Sequence, residues 1–146
     1  MTIYQVQHVK TEQQLKDAFY ARNKVFVEEQ QVPAELEIDE HEDHSEHFVI
    51  YDSKQAPVGA GRLRPISETD AKVERICVLS ELRGQGIGLL MMQELEKVAL
   101  ERGIHTLYLH AQDHAEAFYQ KLGYATVSEP FEEAGIVHVK MKKNIK

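Results

Sequence analysis

The sequence predicts a single α/β domain over residues 1–146, built on a mixed, mostly antiparallel sheet with a central parallel strand pair flanked by helices. The parallel pair follows from a strand at residues 73–78, a helix that ends near Arg102 and a second strand at residues 106–111, because such a unit aligns its two strands. Short turns separate the remaining apolar runs, which favours antiparallel pairing. A chain of 146 residues with 42% hydrophobic content suits one core better than two.

The elements before this unit are assigned from the spacing of apolar residues. A short strand covers residues 3–9, and a helix begins after Thr11, which forms a capping box with Gln14, and ends before Pro33. Residues 35–47 carry many carboxylates and three imidazoles with little apolar periodicity. This composition predicts a surface loop or a poorly ordered turn that could frame a binding site.

The other elements are two strand pairs and a short helix. Residues 47–52 and 56–63 form an antiparallel hairpin. A second capping box, Asp113 with Glu116, precedes a short helix that ends at Gly123. The chain then finishes with an antiparallel strand pair at residues 124–128 and 136–141.

Composition restricts the partners and the compartment. The formal charge is −7, from 24 acidic and 17 basic residues, so we expect no nucleic-acid partner. No apolar run is long enough to cross a membrane, and the first residues lack the apolar core of a signal peptide, which predicts a cytoplasmic protein without a membrane partner. The single cysteine, Cys77, permits no internal disulfide. The sequence does not decide the oligomeric state, and a homodimer is one option.

A glycine-rich turn between the strand and the helix of the central unit predicts an anion site. Backbone N–H groups at a helix N-terminus have no intrahelical partner and carry the positive end of the helix dipole, so they can hold a phosphate. A P-loop is excluded because Leu89 and Leu90 follow the last glycine, and Leu89 also replaces the third glycine of a dinucleotide fingerprint. The structural alternative is a turn that only lets the helix pack close to the strand. The residues of the turn are Arg83, Gly84, Gln85, Gly86, Ile87 and Gly88.

Two motifs resemble those of the GNAT superfamily of N-acetyltransferases. The pattern Arg83-x-x-Gly86-x-Gly88 behind a buried strand resembles the acetyl-CoA pyrophosphate loop of that superfamily. The run AQDHAEAFYQKLGY at residues 111–124 resembles its A-x-x-FY-x-K-x-GF segment. The order of predicted elements is similar along the whole chain, and the runs RNKVFVEEQQVP, DEHEDHSEHFV and EEAGIVHVKM resemble the ElaA-like branch.

The resemblance implies how acetyl-CoA, the co-substrate, would bind. The two parallel strands would part near their C-terminal ends and receive the pantetheine arm, with the pyrophosphate on the glycine turn. Backbone groups of Ile76, Cys77 and Val78 would face the pantetheine, and Val78 N–H would stabilise the oxyanion. The thioester side would be bordered by Gln112, Ala115, Phe118 and Tyr119.

The acceptor amine must lose a proton, and the departing thiolate benefits from an acid. By resemblance, Glu74 is a candidate base, although a strand glutamate can equally form an ion pair with Arg62, Arg64 or Arg75. Tyr119 is the candidate acid, since a phenol holds its proton at neutral pH, with core packing as the alternative.

Other reactive side chains receive no catalytic role. Cys77 lies on a buried strand without a basic neighbour, which predicts an inert thiol. The histidines at 41, 44 and 47 fit no familiar zinc spacing, so we assign no metal. His138 either faces the acceptor or satisfies a local hydrogen bond.

The sequence therefore predicts an acetyl-CoA-dependent N-acetyltransferase that acts on a primary amine of a small molecule or peptide. The acidic residues 32–46 and 131–136, on the substrate side by resemblance, favour a cationic acceptor. The alternative is a non-catalytic module with the same fold that binds acyl-CoA or a protein partner.

Overall fold

The computed structural model describes residues 3–146 and places their strands in one eight-stranded sheet. The strands are β1 Gln5–His8, β2 Glu46–Tyr51, β3 Pro57–Pro65, β4 Asp70–Val78, β5 Thr106–Gln112, β6 Ala125–Thr126, β7 Phe131–Glu133 and β8 Ile136–Asn144. The α-helices are α1 Glu12–Arg22, α2 Ala34–Glu37, α3 Ile87–Glu101 and α4 Glu116–Lys121. The strand order is β1-β2-β3-β4-β5-β8-β6, with β7 on β8. The pair β4–β5 is parallel and the others are antiparallel, which confirms the predicted fold class.

The parallel strands β4 and β5 pair over only part of their length. Their register runs from Asp70 opposite Thr106 to Val73 opposite Leu109. Just beyond this point Arg75 has φ +60°, and the pairing of β3 with β4 shifts register between Ala60 and Arg62. An extra residue on one strand bends that strand, so β4 carries a bulge where it separates from β5.

Helices cover both faces of the sheet. Helices α3 and α4 pack on one face, in a core that includes Met91, Leu95 and Leu109. Helix α1 packs on the other face, where Ala18 and Ala21 contribute to a smaller core. Side chains alternate between faces along a strand, so the face on which a residue lies can be read from its neighbours.

The segment between α1 and β2 is more ordered than the sequence predicts. Helix α1 begins with the predicted capping box and continues as a π-helix over Asn23–Glu29. Residues 35–47, predicted as a loop, instead contribute to α2 and to a 3₁₀ helix at Glu42–His44. No helix within residues 3–146 is long and apolar enough to span a bilayer.

Two predicted details near the C-terminus differ from the structure. The second capping box does not form, because Asp113 lies in a 3₁₀ helix and α4 begins at Glu116 without a side-chain cap. Strand β7 is additional to the predicted pair and aligns Phe131 with His138 on β8.

Candidate active site

The separation of β4 from β5 creates a gap with an unpaired backbone edge. Directly after β4, Leu79 N donates to Val58 O at 2.9 Å, so the N–H of Leu79 points toward β3. Backbone groups alternate in direction along a strand, which turns the N–H of Val78 toward the gap. By the same alternation Ile76 N–H points toward the gap, whereas the N–H of Cys77 points toward β3. Of the three residues predicted to meet pantetheine, Ile76 and Val78 therefore direct backbone groups into the gap and Cys77 does not.

The glycine turn lies at the end of the gap and begins α3. Gly84 and Gly86 have φ of +84° and +80°, a conformation that disfavours other residues. Gly86 is the N-cap of α3 and offers no side chain to the free N–H groups of the first turn. A Cβ on Gly88 would lie 3.2 Å from Cζ of Phe118, so this glycine also permits close packing of α4. The geometry of the turn therefore suits both predicted roles, an anion site and close packing of the helices.

The remaining predicted cofactor residues surround the turn or the end of β5. Gln85 accepts a hydrogen bond from the Tyr4 hydroxyl at 3.1 Å. Ile87 is buried in the core, and Ala115 packs against that core from the 3₁₀ helix Asp113–Ala115. The structure thus brings the predicted residues of β4, the turn and α4 around one region.

Two side-chain bridges connect the end of the π-helix to both edges of the gap. Arg83 donates through its two Nη atoms to the Glu29 carboxylate, at 2.6 Å each, and through Nε to Val78 O at 3.0 Å. The side-chain amides of Gln30 and Gln112 exchange hydrogen bonds of 2.8 and 3.1 Å. The hydrogen bond from Arg83 lowers the pKa of Glu29. A phosphate that binds Arg83 must therefore compete with Glu29.

Tyr119 lies on α4 with 8% of its surface exposed. Its ring makes edge contacts with Phe118 and Tyr124, at centroid distances of 5.0 and 5.7 Å. Burial raises the pKa of the Tyr119 phenol above its ordinary value. The hydroxyl consequently keeps its proton at neutral pH.

Glu74 forms ion pairs, which is the alternative that the sequence left open. Its carboxylate lies 2.7 Å from Arg62 Nη2, 3.0 Å from Arg64 Nε and 3.3 Å from Lys72 Nζ. Burial opposes ionisation of this carboxylate, but the hydrogen bonds from Arg64 and Arg62 outweigh it and lower the pKa to about 2. A carboxylate with such a low pKa has little affinity for a proton, so the geometry favours the ion-pair role over that of a base.

The acidic segment belongs to a buried ion-pair cluster. Arg22 and Arg62 are both fully buried. Arg22 binds Glu37 at 3.1 Å and Glu42 at 2.7 Å, and Arg62 binds Asp39 at 2.8 Å and Glu42 at 3.0 Å. These contacts tie α1 and β3 to residues 37–42. Three carboxylates predicted to be solvated are therefore neutralised by arginines.

We expect acid to weaken this cluster before the pH reaches 2. Burial opposes ionisation of Asp39, but contacts including a hydrogen bond from Arg62 outweigh it, and the pKa of Asp39 falls well below its usual range, as does that of Glu74. Lowered carboxyl pKa values stabilise the folded state above about pH 4.5, and this stabilisation is lost as the pH falls toward 2. The lowered pKa of Glu74 alone contributes about 3 kcal/mol to the free energy of unfolding at neutral pH. Urea denaturation at a series of pH values should show this fall, and it should be shallower in Glu74→Gln. A free energy of unfolding that is constant between pH 5 and pH 3 would contradict the prediction.

The other reactive side chains have local partners. Cys77 is buried in the core beneath α1, and burial raises the pKa of its thiol to about 12. His41 and His44 contact each other at 3.1 Å. Among residues 3–146, no group of three or more His, Cys, Asp or Glu side chains is arranged to hold a metal ion. His138 Nδ1 donates to Ile136 O at 2.7 Å, which is one of its two predicted roles.

The structure thus places a parallel strand pair that separates, β4 and β5, beside the N-terminus of α3, which has no side-chain cap. The chain matches the family model described as "Acetyltransferase (GNAT) domain" over residues 6–145. It therefore belongs to the GNAT family of acetyltransferases and is an enzyme of that class.

Individual relatives agree with this assignment. Over 136 residues the chain is 52% identical to the uncharacterized N-acetyltransferase YjcF of Bacillus subtilis, covering 92% of this chain and 96% of that one. The crystal structure of Escherichia coli ElaA superposes with a TM-score of 0.82 at 28% identity, covering 99% of this chain and all of that chain. A GNAT family acetyltransferase from Elizabethkingia anophelis with acetyl-CoA bound has the same fold, with a TM-score of 0.69, 14% identity and 97% of each chain covered.

Proposed function

We propose that this enzyme transfers an acetyl group from acetyl-CoA directly to a primary amine of a small molecule or peptide. The observation that carries the proposal is the unpaired edge of β4 beyond the bulge at Arg75, which leads straight to the side-chain-free N-terminus of α3. An extended pantetheine can add to such an edge, and the free N–H groups of a helix N-terminus suit its pyrophosphate. These features fit acetyl-CoA as the co-substrate.

Different residues around the gap can perform the separate steps of direct acetyl transfer. Val78 N–H is a donor for the oxyanion that forms when the amine attacks the thioester carbonyl. Tyr119 keeps its proton until the C–S bond breaks and then supplies it to the sulfur. Cys77 is a poor nucleophile because burial holds its thiol protonated, which favours direct transfer over an acetyl-cysteine intermediate.

The expected preference for a cationic acceptor is supported by fewer acidic residues than the sequence indicates. Arginines neutralise Glu37, Asp39 and Glu42, so a preference for cationic acceptors depends on carboxylates at the surface, such as Asp43 and Glu132. A panel that contains diamines, amino acids and amines with no second charged group tests this preference at low and physiological salt. A higher turnover of amino acids than of diamines would contradict the preference for cationic acceptors.

Release of CoA thiol from acetyl-CoA in the presence of the amine panel tests the enzymatic proposal. Calorimetry with acetyl-CoA alone measures binding separately. Binding without amine-dependent thiol release would support the alternative, a module that binds acyl-CoA without turnover. Light scattering of the same samples decides whether the protein forms the homodimer that the sequence leaves open.

We expect Tyr119→Phe to bind acetyl-CoA normally and to lower kcat by roughly ten- to a thousandfold, because a general acid is worth a few powers of ten. The phenyl ring preserves the packing against Phe118 and Tyr124. Steady-state kinetics with one saturating acceptor measures the effect.

The matched control is Tyr124→Phe, which removes a second buried hydroxyl, one that donates to Glu96 at 3.3 Å. This control should lose some stability and keep its kcat. Equal kcat values in Tyr119→Phe and wild type would assign Tyr119 to packing alone.

A further inference from the structure

We propose that His110 is the general base that accepts the proton of the acceptor amine, and that Glu133 is the positioning residue that orients it. The proposal rests on the function proposed above and names a residue for the step that Glu74 fits poorly. The position of His110, the partner of its ring and its surroundings support the proposal.

His110 occupies the first position on β5 beyond the parting of the strands. The last parallel pair is Val73 with Leu109, so the next residues, Glu74 and His110, stand on opposite sides of the beginning of the gap. Leu109 and Ala111 belong to the core under α3. Alternation therefore places His110 on the opposite face of the sheet, two residues before Gln112 on the same strand.

The tautomer of His110 follows from its partner. His110 Nδ1 lies 2.9 Å from Glu133 Oε2. The hydrogen bond lowers the pKa of Glu133, so the carboxylate is ionised and can only accept, and Nδ1 must donate. In the neutral ring the lone pair is then on Nε2, for which no hydrogen bond is found within residues 3–146. A carboxylate that fixes the tautomer and stabilises the imidazolium is the arrangement by which a histidine acts as a base.

The pair is supported by β7 and by aromatic packing. Phe131 makes an edge contact with the His110 ring at a centroid distance of 5.0 Å, and 24% of the His110 side chain remains exposed. The charged and titratable side chains on the same face of the sheet include Arg62 and Arg64 on β3, Lys72 and Glu74 on β4, Tyr108 on β5, and His138, Lys140 and Lys142 on β8. Of these, His138 is closest to Glu133, with Nε2 4.0 Å from Oε1.

His138 is less suited to the same role. Only 9% of its side chain is exposed, and its Nδ1 is engaged by Ile136 O at 2.7 Å. Glu74 is surrounded by two arginines and a lysine. His110 thus combines access from solvent with an oriented, uncommitted nitrogen.

The proton balance is complete without another reactant. The free amine attacks the thioester carbonyl and forms the N–C bond, and His110 Nε2 takes one proton from the nitrogen. The oxyanion then collapses, the C–S bond breaks, and the sulfur receives the Tyr119 proton. The imidazolium then loses its proton to water and the phenolate regains one from water. The products are the amide and CoA thiol.

The first test measures pH–rate profiles of His110→Gln and Glu133→Gln with one saturating acceptor. His110→Gln should lower kcat by roughly a hundred- to ten-thousandfold near pH 7, with partial rescue at high pH where free amine is abundant, and with unchanged acetyl-CoA affinity. Glu133→Gln should lower kcat less than His110→Gln does, because the ring keeps its Nε2 atom and loses only the partner that orients it.

The matched control is His8→Gln, which breaks a second histidine–glutamate pair of 3.1 Å, between His8 and Glu46. That pair lies on β1 and β2, at the far edge of the sheet. The control should keep the wild-type profile. A wild-type profile in His110→Gln would overturn the proposal.

The second test needs no acceptor. Two-bond ¹⁵N–¹H NMR spectra of the imidazole should show His110 as the Nδ1–H tautomer in the wild type and a mixture of tautomers in Glu133→Gln. An Nε2–H tautomer in the wild type would overturn the assignment of the base. Failure of every amine to release CoA would instead overturn the proposed function, so the two failures are distinguishable.

Discussion

Gly86→Glu should weaken acetyl-CoA binding at least a hundredfold, to a level that calorimetry no longer detects. Gly86 is the N-cap of α3, and a Cβ added there meets no atom within 4 Å, so the new side chain extends into open space in front of the helix N-terminus. A carboxylate at this position would occupy the proposed pyrophosphate site, accept hydrogen bonds from the free N–H groups and repel the phosphates.

Gly103→Glu is the matched control for this variant. Gly103 follows the other end of α3, has φ +81° and likewise has open space around its Cβ position. The control therefore carries the same backbone strain and the same added charge, far from the glycine turn. It should bind acetyl-CoA as the wild type does, with both variants folded by circular dichroism. Wild-type affinity in folded Gly86→Glu would show that the turn only serves packing.

The glycine turn and the parallel strand pair could be predicted because local patterns determine them. Apolar spacing identifies two strands and a helix, and a helical crossover between parallel strands is right-handed because the strands twist. The separation of β4 from β5 could be expected only from the resemblance to the GNAT superfamily. It depends on Arg75 adopting φ +60°, and no composition rule favours an arginine there.

The acidic segment was assigned to solvent because a run of carboxylates is usually exposed, and this assignment was wrong for Glu37, Asp39 and Glu42. Their partners come from α1 and β3, far away in the sequence. One signal was present: Arg22 lies three residues after Phe19 and three before Val25, within the apolar spacing of α1. An arginine in an apolar stripe indicates a buried ion pair when acidic residues are plentiful nearby.

His110 could not be found from sequence reasoning for a similar reason. Its place on β5 was predicted, but its partner Glu133 lies on β7, a strand of three residues between the two strands that were predicted. Short strands carry little periodicity, so their pairing becomes visible only in three dimensions. The chemistry of a site thus depends on contacts between distant segments, whereas its scaffold depends on local patterns.

Arg62→Met should lower the free energy of unfolding by about 3–5 kcal/mol, because three carboxylates of a buried cluster lose the guanidinium that they share, although each keeps one other arginine partner. Arg62 is fully buried, and its guanidinium contacts Asp39, Glu42 and Glu74 within 3.0 Å. For a chain of this size such a loss lowers Tm by roughly 10–15 °C. Thermal and urea denaturation at pH 7 measure it.

Two further variants separate charge burial from the mere loss of an arginine. Arg102→Met removes an arginine that is 53% exposed and pairs with Glu46 at 2.7 Å, and exposed pairs contribute at most about 1 kcal/mol, so this control should remain close to wild type. The double variant Arg62→Met, Glu74→Leu should recover part of the stability lost in Arg62→Met, since it also removes a buried carboxylate that has lost one of its two arginine partners. If Arg62→Met were as stable as Arg102→Met, the buried ion pairs would contribute no net stability, and the order of residues 37–42 would have to come from packing alone.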